Sequence, residues 1–279
     1  MKFSLTVNRL SLRWIIGIAM IWSLLSVDVA ISEPTPTTKP ATNPTTSSTT
    51  KPRRGTKTEN AKGDNPTTAP TTQRVQINVT GTPQGETEPL TFVLDITDSP
   101  ESEKWARLAG DYAMKWYPKL CQTLPSEGYV PTRKVTLVFR SMKGVAYTIG
   151  NNIVISAAWI KQHPEDLGMV AHELTHVVQH YTKGERPGWL VEGIADYVRY
   201  YIVEPGSKQA RFNADRGYKG GYQPAAGMIN YIETNHPGAV VKLNELMRTA
   251  KYTPEDFKTI AGGDADETWE KFKATLQGK

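Results

Sequence analysis

Residues 172–199 read HELTHVVQHYTKGERPGWLVEGIADYVR. The first five, His172-Glu173-Leu174-Thr175-His176, form an H-E-x-x-H pentapeptide inside an apolar run whose spacing predicts a helix over 166–182. A four-residue step along a helix returns to within about 40° of the same face, so both imidazoles can reach one metal ion. Zinc accepts neutral imidazole nitrogen at about 2.0–2.1 Å, and a catalytic zinc typically has three protein ligands and one open position. Glu173 would stand beside that position as a base.

The third ligand is sought downstream. Lys183-Gly184 and Pro187-Gly188 make a loop that can fold a second helix, expected over 188–203, back against the first. On it Glu192 and Asp196 lie four apart and share a face. Two acids on one face of a largely apolar helix are costly unless something positive lies opposite. Zinc bound by Glu192, with a ligand imidazole N–H held by Asp196, would meet that cost. The bland alternative is a solvated acidic stripe after a chance pentapeptide. Glu185 and Glu204 compete as third ligand, but Glu185 falls in the Gly/Pro loop and Glu204 directly precedes Pro205. His180 is one turn beyond His176, yet three histidines plus Glu192 would leave zinc no open position. His163 and His236 each precede a proline and read as loop or helix-end residues.

Outward from this core, residues 75–79, 90–96 and 134–140 have the short β-branched look of strands. Tyr147–Ser156 predicts a hairpin turned at Gly150-Asn151, with Asn152–Ser156 as its second strand. Ser99-Pro100-Glu101 opens a helix running to about Leu120, with Trp105, Leu108, Ala109, Tyr112 and Trp116 expected on its buried side. Further helices are expected over 222–235, 238–249, 253–261 and 265–276. Strands first and helices afterwards is an α+β pattern.

The N-terminal quarter is different in kind. Lys2, Arg9 and Arg13 precede an apolar run, Ile15–Val27, of 13 residues ended by Asp28. A membrane-spanning helix needs about 20 apolar residues, so the run reads as a signal peptide over 1–32 rather than a stable anchor. Residues 33–74 are rich in Thr and Pro and cannot offset chain entropy by burial, which predicts a disordered linker, either tether or removable pro-segment. The folding part is then 75–279. Of the 33 basic and 28 acidic side chains, 10 and 4 fall in residues 1–75, leaving 23 against 24 in the rest. That near-neutral balance argues against a nucleic-acid partner. The lone Cys121 permits no intrachain disulfide and reads as a small core residue, and Asn78-Val79-Thr80 is a glycosylation sequon where the host has the machinery.

The segments around His172–Gln179 and Gly188–Arg199, separated by fifteen residues between His176 and Glu192, resemble the basic secretory protein family of plants and bacteria. That resemblance implies a zincin metallopeptidase, gluzincin-like, with a mixed N-terminal sheet packed on the active-site helix and a mostly helical C-terminal part. It implies zinc on His172, His176 and Glu192, Asp196 steadying a ligand histidine, and peptide or protein substrates. It also places an exposed edge strand beside the metal, for which Asn152, Ile153, Val154, Ile155 and Ser156 are the candidates for pairing with substrate. In the family a Gly-Tyr opens the next helix, and Gly221-Tyr222 matches it here, so Tyr222 is the candidate donor to the developing oxyanion, with Tyr218 its rival. The near-neutral domain and the Thr/Pro-rich linker depart from the family pattern.

Three functions remain in view. The first is a secreted zinc peptidase with Glu173 as general base. A non-catalytic secreted zinc-binding module is the second, although a structural site gains nothing from a base beside an open position. The third is a zinc hydrolase of a non-peptide amide.

Overall fold

The computed structural model describes residues 73–207 and 216–277. The expected signal peptide and nearly all of the expected linker lie outside the described residues.

Five strands form one sheet in the order β1-β2-β3-β5-β4: β1 Gln76–Gly81, β2 Leu90–Asp95, β3 Lys134–Arg140, β4 Ala146–Ile149 and β5 Asn152–Ser156. β2, β3 and β5 run parallel, while β1 and β4 pair antiparallel at the two margins. The mixed sheet agrees with the expected α+β layout. The assignment of 152–156 as an exposed edge strand is corrected, because β5 is interior. Its main chain bonds to β3 on one side and β4 on the other, and Ile153 to Ser156 are all buried. A strand paired on both sides has no main-chain groups left for a substrate strand. Among the described residues the edge on this side belongs to β4.

One face of the sheet, carrying Val79, Leu94, Leu137, Ile153 and Ile155, packs on helices. α1, Glu103–Thr123, crosses this face after a 3₁₀ turn at Pro100–Ser102. Its backbone comes so close that a Cβ on Gly110 would stand 2.8 Å from Val79 and 3.3 Å from Leu94. The buried stripe is Trp105, Ala106, Ala109, Gly110, Ala113, Tyr117 and Leu120. Leu108, expected inside, is 48% exposed, and Tyr112 and Trp116 are half-buried. Small residues mark the true contact because close approach requires them.

A short helix, α2, Ala157–Gln162, leads from β5 toward α3, Gly168–Gln179. α3 lies beneath the sheet beside α1, and every residue but His176 is buried. A helix buried all round must be apolar all round unless its polar groups are partnered. It ends earlier than the sequence suggests. His180 adopts a left-handed φ of 47°, and the Arg248 guanidinium takes the carbonyls of Val178 at 2.7 Å and Gln179 at 3.2 Å. Arg248 also bonds the Leu124 carbonyl at the end of α1 at 3.0 Å. It thus ties the ends of two helices together.

α4, Gly188–Tyr197, returns against α3 and passes into a π-helical turn, Val198–Val203. α5, Tyr222–Asn235, packs on it where Gly193 leaves room: a Cβ there would lie 2.7 Å from Ile229 and 2.8 Å from Ala225. α6, Ala239–Arg248, which carries Arg248 at its end, α7, Pro254–Ala261, and α8, Ala265–Gln277, complete the helical part. With Trp189 and Tyr218, Phe257 and Trp269 build an aromatic cluster behind the start of α4. No helix among the described residues is long and apolar enough to cross a membrane.

Candidate active site

α3 and α4 bring the expected donors together. His172 Nε2 and His176 Nε2 are 3.1 Å apart, and Glu192 Oε2 lies 3.2 Å from the first and 3.6 Å from the second. Among the described residues these three side chains are the group able to hold a metal ion. Glu185, Glu204, His163, His180 and His236 are not part of it. Glu204 lies against Gly168 at the start of α3, His163 stacks on Trp159, and His236 packs on Gly262.

The far sides of the imidazoles are fixed by different partners. Asp196, 4% exposed, sets Oδ1 at 2.6 Å from His172 Nδ1. Its carboxylate accepts, so His172 Nδ1 carries the proton. Gln179 does the same for His176, a role that local sequence pattern does not reveal. The Gln179 amide nitrogen donates to the Val191 carbonyl at 3.0 Å, which turns its oxygen to His176 Nδ1 at 2.8 Å. A glutamine three residues past a candidate ligand is the available signal, but its second anchor sits on another helix.

These bonds leave lone pairs on both Nε2 atoms facing each other and the Glu192 carboxylate. Three lone-pair donors at such separations repel unless a cation sits between them. Ligands about 2.05 Å from a tetrahedral ion stand about 3.3 Å from one another, which the observed 3.1, 3.2 and 3.6 Å bracket. The residues fit zinc. The electrostatics of the three side chains point the same way. Burial disfavours an imidazolium at His172, but the hydrogen bonds it donates to Asp196 and Glu192 outweigh that and push its pKa up to about 10. Burial likewise works against a charged Glu192, yet hydrogen bonds to His172 and His176 hold it well below the usual carboxylate range. A metal-free centre satisfies its acids with a proton, the cation a metal would displace.

Glu173, buried, points toward β4. Thr148 Oγ1 lies 2.7 Å from Glu173 Oε2 and 3.1 Å from the Glu173 carbonyl. Nothing in the sequence pattern singles out Thr148. The centre opens on a cleft of ≈ 1140 Å³ lined by Ala146–Thr148, the donor residues, and Gly220–Pro224.

Tyr222 stands over this cleft. It is 56% exposed, its φ is +53°, and its ring is stacked toward the His172 ring at 6.1 Å. A bulky residue at positive φ is strained, and such strain concentrates at functional positions. Gly221, beside Glu192, holds a left-handed φ of 73° that glycine adopts without strain. The Glu192 charge, then partial burial, raises the Tyr222 phenol pKa. Tyr218 is buried elsewhere: its hydroxyl donates to Asp266 at 2.7 Å and its ring packs edge-on to Trp189. Cys121 packs against the core, and burial pushes its thiol up to about 12.

Two imidazoles and a carboxylate thus converge beneath a mixed sheet, with a second carboxylate alongside. The family model for the peptidase of plants and bacteria, BSP, matches residues 97–272, and the chain belongs to that family. No curated protein sequence matches it. Among solved structures it is similar to a two-domain M1 zinc metallopeptidase bound, in mutant form, to L-arginine, with 13% identity and a TM-score of 0.45 over 72% of this chain and 51% of that one. It is similar also to the M1 zinc metallopeptidase of Deinococcus radiodurans, with 14% identity and a TM-score of 0.42 over 72% and 51% of the two chains. The chain spans about half the length of these structures.

Proposed function

We propose that this protein is a zinc-dependent peptidase that hydrolyses peptide bonds with Glu173 as general base. The observation that carries the reading is the convergence of His172, His176 and Glu192, lone pairs inward, beside the Glu173 carboxylate. Zinc held there would supply Lewis-acid polarisation of the scissile carbonyl and acidify water at neutral pH.

The chain's own residues do the rest. Asp196 and Gln179 fix the ring orientations and keep both Nε2 atoms proton-free for the metal. Glu173 takes a proton from the attacking water and returns it to the leaving amine. Tyr222 reaches over the cleft and donates to the carbonyl oxygen as negative charge develops on it. The edge strand β4, rather than β5, offers main-chain groups to an extended peptide. The charged and apolar leader supports export, with the Thr/Pro-rich stretch as a tether, and N-terminal sequencing of the exported chain should begin near Glu33.

The test uses the full chain, stripped of metal and reloaded with zinc, on a casein digest and on defined peptides. Hydrolysis that appears with zinc, vanishes with a chelator and falls at least about 10²-fold in Glu173→Gln with zinc retained is the expected result. Zinc-independent hydrolysis, or full turnover by Glu173→Gln, would overturn the reading.

A further inference from the structure

Thr148 occupies a position that joins two parts of the site. In an antiparallel pair, residues alternate between turning their main-chain N–H and C=O toward the partner strand and away from it. The Val145 carbonyl accepts from Ser156 N at 2.9 Å, which sets the phase for β4 and β5. In the register Tyr147↔Val154 and Ile149↔Asn152, these β4 residues share the phase of Val145 and turn toward β5. Ala146 and Thr148 therefore turn their main chain to the open edge. The Thr148 side chain, directly opposite Ile153, lies on the helix-facing side of the sheet and meets Glu173. One residue thus presents its backbone to the cleft edge and its hydroxyl to the base.

That hydroxyl has one proton and two acceptors, the Glu173 carbonyl at 3.1 Å and Oε2 at 2.7 Å. The carboxylate is the nearer and the stronger acceptor. Occupied by Thr148, Oε2 is held while Oε1 remains to meet water. Among the described residues the backbone of β4 has a strand on one side only, and Ile149 beside Thr148 is 66% exposed. A peptide pairing on the free side would fix the Thr148 backbone, and with it a β-branched χ1 that has little freedom of its own.

We propose that Thr148 is a positioning residue that couples pairing of an extended peptide along β4 to the orientation of the Glu173 carboxylate. The proposal rests on the reading of Glu173 as the general base. Through this coupling, contacts remote from the scissile bond are expressed in kcat and not only in KM.

The test is a series of peptides with one scissile sequence and increasing length, turned over by the zinc-loaded full chain and by Thr148→Val, Thr148→Ala and Thr148→Ser. In the wild type kcat should rise with length. Thr148→Val should flatten that rise and lower kcat on the longest peptide about tenfold, the size of one charge-assisted hydrogen bond, with zinc content and melting temperature unchanged. Thr148→Ser, which keeps the hydroxyl, should restore most of the length dependence. Thr148→Ala removes the hydroxyl with no demand on packing and must repeat the Thr148→Val result, so it decides the matter should Thr148→Val fold poorly. A rise of kcat with length that survives in both hydroxyl-free variants overturns the coupling, as does a wild-type kcat that is flat. Should Glu173→Gln turn over normally, the base assignment fails. Should Glu173→Gln be inactive while the hydroxyl-free variants behave as wild type, the role of Thr148 alone fails.

Discussion

Replacing Asp196 by asparagine tests how the chain prepares the proposed metal site. The Asp196 carboxylate is buried and 2.6 Å from His172 Nδ1. Hydrogen bonds to charged groups contribute about 1.5–3 kcal/mol and neutral ones about 0.5–1.5 kcal/mol. The amide oxygen of an asparagine in this place can still accept from Nδ1, so Asp196→Asn loses the difference, about 1–1.5 kcal/mol, or roughly tenfold in zinc affinity. That is the lower end of the roughly 10–100-fold range typical of groups that orient a metal's ligands. Asp196→Leu removes the bond altogether and should reach the upper end. The assay is competition for zinc between the metal-free full chain and a chromophoric chelator, with circular dichroism confirming the fold. Equal zinc affinity in the wild type and both folded variants would refute the idea that Asp196 acts on the metal through His172.

The metal-free protein should also report on this centre through pH. Because the folded pKa of His172 is raised from 6.5 to about 10, its stabilising contribution is complete below about pH 6.5 and is lost as pH climbs through about 10. Scanning calorimetry of the metal-free chain should show a melting temperature that falls across that window, and a flat profile would contradict the assignment. Tyr222→Phe should lower kcat by about 10²–10³ with little change in KM or zinc content, whereas Tyr218→Phe, which loses only a bond to the exposed Asp266, should leave kcat intact. Steady-state kinetics reversing that pattern would assign the oxyanion donor to Tyr218. Gly193→Ala forces a methyl to within 2.7–2.8 Å of Ile229 and Ala225, so it should destabilise by about 1–3 kcal/mol in denaturant titration. No loss of stability would mean that α4 and α5 do not pack so closely in solution.

Metal chemistry makes the centre legible in the sequence. Coordination ties residue type to helical spacing, so His172, His176, Glu192 and Asp196 can be picked out from local pattern alone, and the structure brings all four together. Partners supplied from elsewhere cannot. Thr148 reaches Glu173 from a separate strand, and Gln179 is fixed by the Val191 carbonyl on another helix. The edge strand escapes local reading for a related reason. Residues 146–156 do form a hairpin, but which arm pairs with β3 is a non-local choice. The continuous apolar run Ile153-Val154-Ile155 is the local sign of an interior strand, since strands covered on both faces lose their alternation. On α1, hydrophobicity places Leu108 inward, while the actual contact is made by Ala106, Ala109, Gly110 and Ala113, whose small size lets helix and sheet meet. Hydrophobic pattern finds a buried face, but close packing selects which residues occupy it.

The most direct test of the account is X-ray absorption at the zinc edge of the zinc-loaded full chain. The spectrum should fit one zinc with two imidazoles and oxygen, all at about 2.0–2.1 Å, and Glu192→Ala should alter the oxygen shell while both imidazoles remain. A sulfur shell at about 2.3 Å, a third imidazole, or a spectrum unchanged by Glu192→Ala would contradict the assignment of His172, His176 and Glu192 as the zinc ligands.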